Sequence, residues 1–560
     1  MTTTVGSYLA TRFSQVGIEN HFVVAGDYNL ALLDKLQEHP KLEEVNCCNE
    51  LNCSFAAEGY SRSKGVAALV VTFNVGAFSA FNGIGSAYAE NLPVILVVGS
   101  PNTNDSIDHN LIHHTIGTHN FDYEFEMAKK ITCAAVQVKH AQDAPRLIDY
   151  AIRKCLARKK PCYIEIPTNM ATQSCPAPGP LEGLLYQLPS EPNTLSEAVN
   201  ATAQLIESRS RPTMLAGSKI RSAGAEESFL ALAEALGCAV AVMPAAKSLF
   251  PEDHPQYVGV YWGNVSTKKA DAILQWSDLT ICVGCVFTDY STAGWTSPQP
   301  AAHRLEADSD EVKFPDHYYG QIKLADFLRA LTEKIKKSDR SLIEYRRLRP
   351  PPPLVEAADA SEPLTRQEMT RQIQKLFTSN TTFFAETGDS WFNGIQMDLP
   401  RGAKFEAEMQ WGHIGWSIPA CFGYSVGAPD RDIITMIGDG SFQVTVQEVA
   451  QMVRLKKPIL ILLVNNFGYT IEVEIHDGPY NDIKNWNYAA LVEAFNADDG
   501  YAKGYQVKTG GELAEAIEKF KDNNKGPTLI EIQIHRDDCT NELVTWGHYV
   551  ALANARPPIS

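Results

Sequence analysis

The chain has 560 residues, a length that predicts three or four domains of about 150 residues each. Its hydrophobic fraction of 44% and charged fraction of 21% are those of a folded globular protein, so extensive disorder is excluded. The net charge of −17 argues against a nucleic-acid scaffold, which needs a basic surface. No apolar run is long enough to span a membrane, and the first residues lack the pattern of a secretory signal. We therefore expect a soluble, cytoplasmic protein.

Short apolar, β-branched runs alternate with helix-like segments along the chain, which predicts an α/β fold of doubly wound parallel sheets. In the first third of the chain these runs are nearly continuous in hydrophobicity, as expected of strands that are buried on both faces. The predicted strands span residues 21–26, 66–73, 92–99 and 162–166, and the predicted helices include residues 50–64 and 144–158.

Two turn-rich stretches divide the chain. The first consists of residues 174–180 and 188–193 and places a boundary near residue 188. The second, residues 346–363, contains a run of prolines and predicts a stiff, exposed linker. The sequence therefore predicts three domains, formed by residues 1–188, 189–353 and 354–560. Further strands are predicted at residues 212–216, 238–243 and 279–284 in the second domain, and at residues 381–386, 432–437, 458–464 and 527–534 in the third.

The first and third domains share one pattern. In each, a strand turns through glycine into a helix, and the next strand begins seventeen or eighteen residues later. Two interpretations stay open, because βαβ units in general look alike and because related domains would also produce the repeat. Two related domains would naturally form a joint site.

Twelve cysteines lie mostly within apolar runs, where reduced cysteine packs as a small hydrophobe. Cys282 and Cys285 form a CxxC pair, but no second pair or histidine lies close enough in sequence to complete a zinc site. We therefore predict that this pair packs at the end of a strand instead of binding a metal or exchanging electrons.

The clearest chemical signal is residues 438–442 (GDGSF), followed after an intervening helix and strand by residues 465–469 (NNFGY). Glycine permits a tight turn from strand to helix, and the helix N-terminus offers unpaired N–H groups to an anion. Asp439 supplies a carboxylate, Asn466 an amide oxygen and Gly468 a backbone carbonyl. These hard oxygen donors, on two neighbouring strand ends, predict an Mg²⁺ ion that bridges a diphosphate.

The spacing of these two motifs resembles the thiamine-diphosphate fingerprint, and further motifs extend the similarity over essentially the whole chain. Those motifs are residues 50–52 (ELN), 113–114 (HH), 387–393 (TGDSWFN), 410–417 (QWGHIGWS) and 469–473 (YTIEV). Together they resemble the pyruvate decarboxylase family, its bacterial type in particular. The resemblance implies, in chain order, a pyrimidine-binding, a middle and a diphosphate-binding α/β domain. It also implies a homotetramer, a dimer of dimers, that holds each cofactor between two subunits.

By this resemblance, the chain is a fermentative carboxy-lyase that converts pyruvate to acetaldehyde and carbon dioxide without oxidation, through a thiamine-diphosphate ylid and an enamine. The resemblance gives Glu50 a hydrogen bond to N1′ of the aminopyrimidine, which favours the tautomer that takes the C2 proton. Asp27, His113, His114 and Glu472 are the implied proton-transfer residues. Asp27 and His114 are expected to act as a coupled pair.

The resemblance also implies how the cofactor and the substrate are held. The Gly412 carbonyl would accept a hydrogen bond from the pyrimidine amino group, and Ile414 would prop the folded cofactor. The implied cofactor-binding residues are Glu50, Thr72, Thr387, Asp389, Gly412, His413, Ile414, Gly438, Asp439, Gly440, Ser441, Asn466, Tyr469, Thr470 and Ile471. The implied metal ligands are Asp439, Asn466 and Gly468. The residues that match the wall of the substrate pocket are Tyr290, Trp391, Ile471 and Ile475, which favours a short aliphatic 2-oxo acid.

Several of these residues have a plainer interpretation. Glu50 suits the first turn of a helix, where carboxylates are common, and Asp27 suits the N-cap of a helix over residues 29–36. The histidine pair is compatible with an ordinary surface loop. Ile471 and Ile475 are four residues apart, as expected for the buried face of a helix.

Other activities stay open on the sequence alone. A carboligating relative of the acetohydroxyacid synthase type usually carries FAD, and a nicotinamide dehydrogenase would use similar doubly wound domains. Both are disfavoured because residues 215–219 and 283–287 lack the G-x-G-x-x-G pattern. A phenylpyruvate or indolepyruvate decarboxylase would differ in substrate. A non-catalytic homologue is disfavoured because every matched position holds a competent residue.

Overall fold

The computed structural model describes residues 2–351 and 357–558, and its strands form three large sheets of six, seven and six strands. Helices connect most of the strands and pack against the sheets. The predicted α/β class is confirmed.

The first region contains a six-stranded parallel sheet and a short antiparallel pair. Its strands are β1 (Thr2–Thr4), β2 (Asn20–Val23), β3 (Glu43–Asn46), β4 (Ala67–Thr72), β5 (Val94–Ser100), β6 (Ala135–Gln137), β7 (Cys162–Pro167) and β8 (Ser174–Pro176). Its helices are α1 (Val5–Gln15), α2 (Leu30–Gln37), α3 (Glu50–Lys64), α4 (Val75–Ala89), α5 (Thr103–Ile107), α6 (Tyr123–Ile131), α7 (Ala144–Arg158) and α8 (Glu182–Leu185). The sheet order is β3-β2-β4-β5-β7-β6, and β1 pairs with β8.

The middle region contains a seven-stranded sheet that is not parallel throughout. Its strands are β9 (Pro212–Ala216), β10 (Ala239–Val242), β11 (Tyr257–Val260), β12 (Leu279–Val283), β13 (Arg304–Ala307), β14 (Glu311–Lys313) and β15 (Tyr318–Gly320). Its helices are α9 (Pro192–Glu207), α10 (Lys219–Ser222), α11 (Glu226–Leu236), α12 (Ala270–Trp276), α13 (Leu324–Thr332) and α14 (Arg340–Leu348). The order is β11-β10-β9-β12-β13-β14-β15, and the last two strands run antiparallel to their neighbours.

The third region contains a second six-stranded parallel sheet. Its strands are β16 (Thr381–Ala385), β17 (Lys404–Ala407), β18 (Asp432–Gly438), β19 (Leu460–Asn465), β20 (Lys503–Val507) and β21 (Thr528–Gln533). Its helices are α15 (Arg366–Ile373), α16 (Asp389–Gln396), α17 (Ser417–Gly427), α18 (Asp439–Thr445), α19 (Val449–Arg454), α20 (Thr470–Ile475), α21 (Tyr488–Ala494), α22 (Gly510–Lys521) and α23 (Asn541–Asn554). The order is β17-β16-β18-β19-β21-β20.

The two six-stranded sheets have the same topology. Counted within each sheet along the chain, the strand order is second, first, third, fourth, sixth and fifth in both. A shared motif at one βαβ unit would not require the other strands to follow the same order. The topology therefore favours two related domains over a coincidental repeat.

Helices α3 and α17 hold the first and third regions together at backbone contact. A Cβ atom on Gly59 would lie 1.9 Å from the carbonyl oxygen of Ala420, and one on Gly423 would lie 1.8 Å from the carbonyl oxygen of Ala56. Only glycine permits such an approach. The contact fixes α3, and with it Glu50 at the first turn of α3, relative to the third region.

Most predicted elements are confirmed, and the two predicted helices named above coincide with α3 and α7. The linker prediction is partly wrong, because residues 346–348 belong to α14. Residues 352–356, which include the predicted boundary between the second and third domains, lie outside the described residues. All three domain limits stay predictions.

The predicted packing of the CxxC pair at a strand end is observed, and the absence of metal binding or electron exchange stays a prediction. Cys282 is in β12 and Cys285 follows it closely, with its Sγ 3.4 Å from the carbonyl oxygen of Leu215. Both thiols are free.

Among the described residues, no helix combines the length and the apolar character that a membrane crossing requires.

Candidate active site

The predicted acid–base residues of the first region lie at the carboxyl edge of its sheet. Asp27 follows β2, Glu50 opens α3 after β3, and Thr72 ends β4. Two glycines bring them close together: a Cβ on Gly26 would lie 2.6 Å from Cβ of Thr72, and one on Gly76 would lie 3.0 Å from Oε1 of Glu50. The Thr72 hydroxyl is buried and has no hydrogen-bond partner within the described ranges.

Asp27 is paired with His113. Its Oδ2 lies 2.7 Å from Nε2 of His113. One ligand atom from each of Asp27, His113 and His114 lies within 4.8 Å of the others, so the expected coupling of Asp27 with His114 stays a prediction. Tyr28 stacks on the His113 ring and places its hydroxyl 3.3 Å from Nδ1. Sequence adjacency could not decide which histidine faces the carboxylate.

The plainer interpretation of Asp27 as a helix N-cap is also wrong. Asn29 precedes α2, and its Oδ1 accepts a hydrogen bond from the N–H of Gly26 at 3.0 Å. Asp27 is therefore free to face the histidines. The side chains of Asp27 and His113 are 52% and 58% exposed, so this group opens to the surface of the chain.

A buried network behind the histidines was missed by the sequence analysis. Asn74 has φ +52, its N–H donates to Glu124, and its side-chain amide donates to the carbonyl oxygen of His114 at 2.6 Å. Tyr163 donates its hydroxyl to Oε1 of Glu124 at 2.6 Å. Burial raises the pKa of Glu124 to about 8. Glu124 lies on the amphipathic helix α6, where an acidic residue in the first turn gives no signal of this role.

The predicted metal donors converge at the carboxyl edge of the third sheet, where β18 and β19 are neighbours. Asp439 is buried, and its Oδ1 accepts a hydrogen bond from the N–H of Gly440 at 2.9 Å. Its Oδ2 is buried without a partner in the described parts of the chain. Burial raises the pKa of Asp439 to about 6, although the N–H groups of Phe467 and Gly468 favour its ionised form. Asp439 therefore faces the loop after β19.

That loop offers further oxygen donors. The side-chain nitrogen of Asn466 donates to Oγ1 of Thr470 at 2.5 Å, so the amide oxygen is the atom left to face a cation. A Cβ on Gly440 would lie 2.4 Å from the ring of Tyr469, so only glycine at this position lets the ring pack against the turn between β18 and α18. The Gly468 carbonyl accepts a hydrogen bond from the N–H of Thr470 at 3.2 Å and keeps a second lone pair. A carboxylate, an amide oxygen and a backbone carbonyl are the types of donor that suit Mg²⁺, so the predicted set fits this ion by its chemistry.

Glu386 joins two predicted cofactor segments and was not singled out from the sequence. It is fully buried, its Oε1 accepts from the N–H of Thr387 and its Oε2 from the N–H of Ser417, both at 2.8 Å. Burial raises the pKa of Glu386 to about 7 against these donors. The Thr387 hydroxyl is buried and lacks a partner among residues 2–351 and 357–558, as expected of an atom that faces a ligand.

Two predicted cofactor residues are occupied by protein contacts. Asp389 accepts from the Thr540 hydroxyl at 2.7 Å with one oxygen and from the Asn393 amide at 2.7 Å with the other. His413 donates from Nδ1 to the carbonyl oxygen of Ile414 at 2.6 Å. These contacts give both residues a structural role, and their contact with a cofactor stays a prediction.

The remaining predicted cofactor residues also belong to the third region. Gly412 has φ +71, which favours glycine, and it brings this loop against the ring of Tyr290. The other members are Gly438 at the end of β18, Ser441 in α18 and Ile471 in α20.

The predicted pocket residues pack together. Trp391 is fully buried, and its ring centroid lies 6.1 Å from that of Tyr290. Ile471 and Ile475 belong to the same apolar cluster, so the plainer interpretation as a buried helix face also holds. Glu472, on α20, is exposed and close enough to Tyr290 to contribute, after burial, to the raised pKa of that phenol. The pocket and proton-transfer roles themselves stay predictions.

Three family descriptions match successive parts of the chain. The description "Thiamine pyrophosphate enzyme, N-terminal TPP binding domain" matches residues 3–122, the "central domain" matches residues 199–335, and the "C-terminal TPP binding domain" matches residues 386–532. Together with the two sheet edges, these matches define a thiamine-pyrophosphate-dependent enzyme.

Individual relatives narrow the class. The chain is 57% identical over 555 residues to a pyruvate decarboxylase of Neurospora crassa. The aligned region covers 99% of this chain and 97% of that protein. The chain is 56% identical over 558 residues to a probable pyruvate decarboxylase of Schizosaccharomyces pombe, with 100% and 98% covered. It is 42% identical over 559 residues to pyruvate decarboxylase 4 of Arabidopsis thaliana, with 99% and 93% covered. The chain belongs to the pyruvate decarboxylase family.

The predictions of the family and of a carboxy-lyase that depends on thiamine diphosphate are thereby confirmed. The relatives named here come from fungi and a plant, so the emphasis on bacterial enzymes receives no support from them.

Proposed function

We propose that the chain decarboxylates pyruvate to acetaldehyde and carbon dioxide, with thiamine diphosphate and Mg²⁺ as cofactors. The observation that carries the proposal is the buried, unpartnered Oδ2 of Asp439 beside the donors Asn466 and Gly468. This arrangement fits a cation that holds a diphosphate. The similarity to proteins named pyruvate decarboxylase supports the choice of reaction.

Bound thiamine diphosphate supplies a nucleophilic carbon and a sink for the electron pair that carbon dioxide leaves behind. Asp439, Asn466 and Gly468 would hold Mg²⁺ through oxygen. Helix α18 has only seven residues, so the site is assigned from these oxygen donors and not from the N-terminus of the helix. The Thr72 and Thr387 hydroxyls, both buried without a described partner, fit polar groups of the cofactor.

The carboxylate of Glu50 would hold and exchange a proton with the pyrimidine ring. It stands at the N-terminus of a helix fixed by backbone contact with α17, which keeps the carboxylate in place. Asp27 and His113 form a hydrogen-bonded acid–base pair, and His114 lies within reach of both. With Glu472, these groups would deliver the proton that becomes part of the aldehyde.

The substrate side of the site is apolar. Tyr290 and Trp391 pack ring to ring, and Ile471 belongs to the same apolar cluster. Bulky side chains at these positions favour a short aliphatic 2-oxo acid over an aromatic one. An apolar wall also favours loss of carbon dioxide, since that step removes charge from the reacting centre.

An aldehyde-release assay tests the proposal. Purified chain is stripped with a chelator and assayed with pyruvate, with and without thiamine diphosphate and Mg²⁺. We expect acetaldehyde only when both are present, and preference for pyruvate over phenylpyruvate and indolepyruvate. Release that needs neither cofactor would overturn the assignment, and a bound yellow flavin would favour a carboligating relative.

We further propose that a second copy of the chain completes each site, in a dimer of dimers. Asp27 and His113 are half exposed, and the neighbouring apolar residues Ile107, Leu111 and Ile116 are 74%, 60% and 72% exposed. Exposed apolar side chains around a catalytic group favour a protein interface.

Mixed dimers test this proposal. Glu50→Gln and Asp439→Ala chains are each expected to be inactive, but a site built from two subunits regains one intact Glu50–Asp439 combination in the mixed dimer. Co-expression should therefore restore part of the activity. If the two variants form a mixed dimer that stays inactive, Glu50 and Asp439 of the same chain belong to one site, and the proposal is wrong.

A further inference from the structure

The Asp27, His113 and His114 cluster has the composition of a transition-metal site. One ligand atom from each side chain lies within 4.8 Å of the other two. The ligands would be one carboxylate oxygen and two imidazole nitrogens. An ion at about 2.0–2.2 Å from each atom requires these side chains to rotate and the ion to replace the Asp27–His113 hydrogen bond.

The surroundings of His113 resemble the support that metal-binding histidines require. Its Nε2 faces Asp27, and its Nδ1 lies 3.3 Å from the hydroxyl of Tyr28, whose ring stacks on the imidazole at 4.9 Å. A hydrogen bond to the second nitrogen fixes the tautomer and the ring orientation of a ligand histidine.

The backbone of His114 is held by a hydrogen bond, but one of its ring nitrogens has no partner in the described residues. Nδ1 of His114 is buried and has no hydrogen-bond partner in the part of the chain that the structure describes. The residue has φ +59, and its carbonyl oxygen accepts the 2.6 Å hydrogen bond from Asn74. The backbone therefore places an imidazole, with a nitrogen that makes no hydrogen bond to the described residues, beside the Asp27–His113 pair.

The chemistry of the two candidate sites separates two kinds of cation. Two imidazoles and one carboxylate suit Zn²⁺, Co²⁺, Ni²⁺ or Cu²⁺, whereas the oxygen donors Asp439, Asn466 and Gly468 suit Mg²⁺. Three protein ligands leave one tetrahedral position for a water molecule or another ligand.

We propose that Asp27, His113 and His114 bind a divalent ion of the zinc class at a site separate from the magnesium donors. Binding occupies the nitrogen and oxygen atoms that would otherwise exchange protons. Zn²⁺ is therefore a reversible inhibitor, a consequence that rests on the proposed function, whereas the binding itself does not.

The test uses holoenzyme loaded with thiamine diphosphate and Mg²⁺ and titrated with Co²⁺, whose visible absorption reports tetrahedral geometry. We expect tetrahedral bands that saturate at about one ion per chain. His113→Gln and His114→Gln should abolish the bands. His119→Gln is the matched control and should keep them, because His119 lies in the same segment but outside the cluster. Bands that persist in the double variant His113→Gln/His114→Gln would overturn the proposal.

Two further measurements locate the ion. Tyr28→Phe removes only the support of His113 and should weaken Co²⁺ binding by about 10- to 100-fold. Zn²⁺ should lower aldehyde release, and a zinc chelator should restore it while excess Mg²⁺ does not. Recovery by Mg²⁺ would place the ion at the magnesium donors and refute the separate site. If the enzyme shows no pyruvate activity at all, the Co²⁺ spectrum still decides the binding.

Discussion

The carboxylate of Glu386 accepts a 2.8 Å hydrogen bond from the backbone N–H of Ser417. Its other oxygen accepts one from Thr387, the next residue in the chain. One buried side chain therefore ties the loop after β16 to the first residue of α17. Residues predicted to contact the cofactor lie in that loop and in the segment just before α17, so Glu386 sets the spacing of two predicted walls of the site.

Glu386→Gln should weaken cofactor binding without unfolding the chain. The amide nitrogen would face a backbone N–H, and a buried unsatisfied donor costs about 1–3 kcal/mol, or about 5- to 150-fold in affinity. Calorimetric titration with thiamine diphosphate and Mg²⁺ measures the loss. Glu448→Gln is the comparison variant, because Glu448 is also a buried acceptor with a pKa raised to about 7 but it accepts from the N–H of Cys48, before α3, instead of from Thr387 and Ser417. Equal affinity loss in both variants would remove the special role of Glu386.

Stability should fall as the pH rises through neutrality. Burial raises the pKa of Glu386 and of Glu448 to about 7, from values near 4.5 when unfolded. The folded state then holds protons that the unfolded state releases, so their stabilisation is complete below about pH 4.5 and is lost as the pH rises through about 7. For Glu386 the full effect is on the order of 3 kcal/mol.

Denaturant unfolding measured from about pH 5 to 8 tests this sign. The Glu386→Gln/Glu448→Gln double variant should show a flatter pH dependence over that range. Stability that increases with pH in the wild-type chain, or an unchanged slope in the double variant, contradicts the prediction.

Glu50→Gln should leave a folded protein that binds its cofactor but exchanges the C2 proton slowly, by about 10²- to 10⁴-fold. NMR of deuterium exchange in the bound cofactor measures this rate. Gly76→Ala is a milder variant that keeps the Glu50 carboxylate but moves it. The new Cβ would lie 3.0 Å from Oε1 of Glu50 and displace the carboxylate by a few tenths of an ångström. Its effect should be smaller than the ~100-fold that a 1 Å displacement costs. Near-normal exchange in Glu50→Gln would exclude the proton-transfer role.

Asp439→Ala and Asn466→Ala should lose cofactor when Mg²⁺ is limiting, because each removes one oxygen donor. Equilibrium dialysis with and without a chelator measures the retained cofactor. Asn466→Asp keeps an oxygen at the same place and should retain more cofactor than Asn466→Ala. Cofactor that stays bound to either alanine variant after chelation would show that the metal lies elsewhere.

Local rules explain which elements could be predicted from the sequence. Helix α3 begins where the side chain of Asn49 accepts from the N–H of Asn52 and ends at Gly65, which has φ +90. Both signals lie within a few residues of the helix ends. The oxygen donors Asp439 and Asn466 could also be predicted from the sequence, because the carboxyl ends of neighbouring parallel strands meet at one edge of the sheet.

Contacts between distant segments account for what the sequence did not predict. The Asp27–His113 hydrogen bond joins residues 86 positions apart, and its choice of histidine depends on loop geometry. Glu386 contacts Ser417 across 31 positions, and neither residue has a local pattern that marks the contact. Glu124 looks like any acidic residue in a first helical turn.

Ile471 and Trp391 are predicted to form part of the wall of the substrate pocket. Ile471→Ala should shift relative kcat/KM toward longer or aromatic 2-oxo acids by about tenfold or more, because pocket methylenes discriminate by such amounts. Trp391→Ala should shift it in the same direction, but Trp391 is fully buried and its loss costs about 3–5 kcal/mol of stability. Ile471 therefore gives the cleaner measurement.

Ile373→Ala is the matched control for Ile471→Ala. Ile373 is fully buried on α15 in the same apolar cluster, so its truncation should cost a comparable ~2–5 kcal/mol. It should leave the ratio of kcat/KM for pyruvate and phenylpyruvate unchanged. If both variants shift this ratio equally, the change reflects loosening of the cluster, and Ile471 is a core residue of α20 instead of a wall of the substrate pocket.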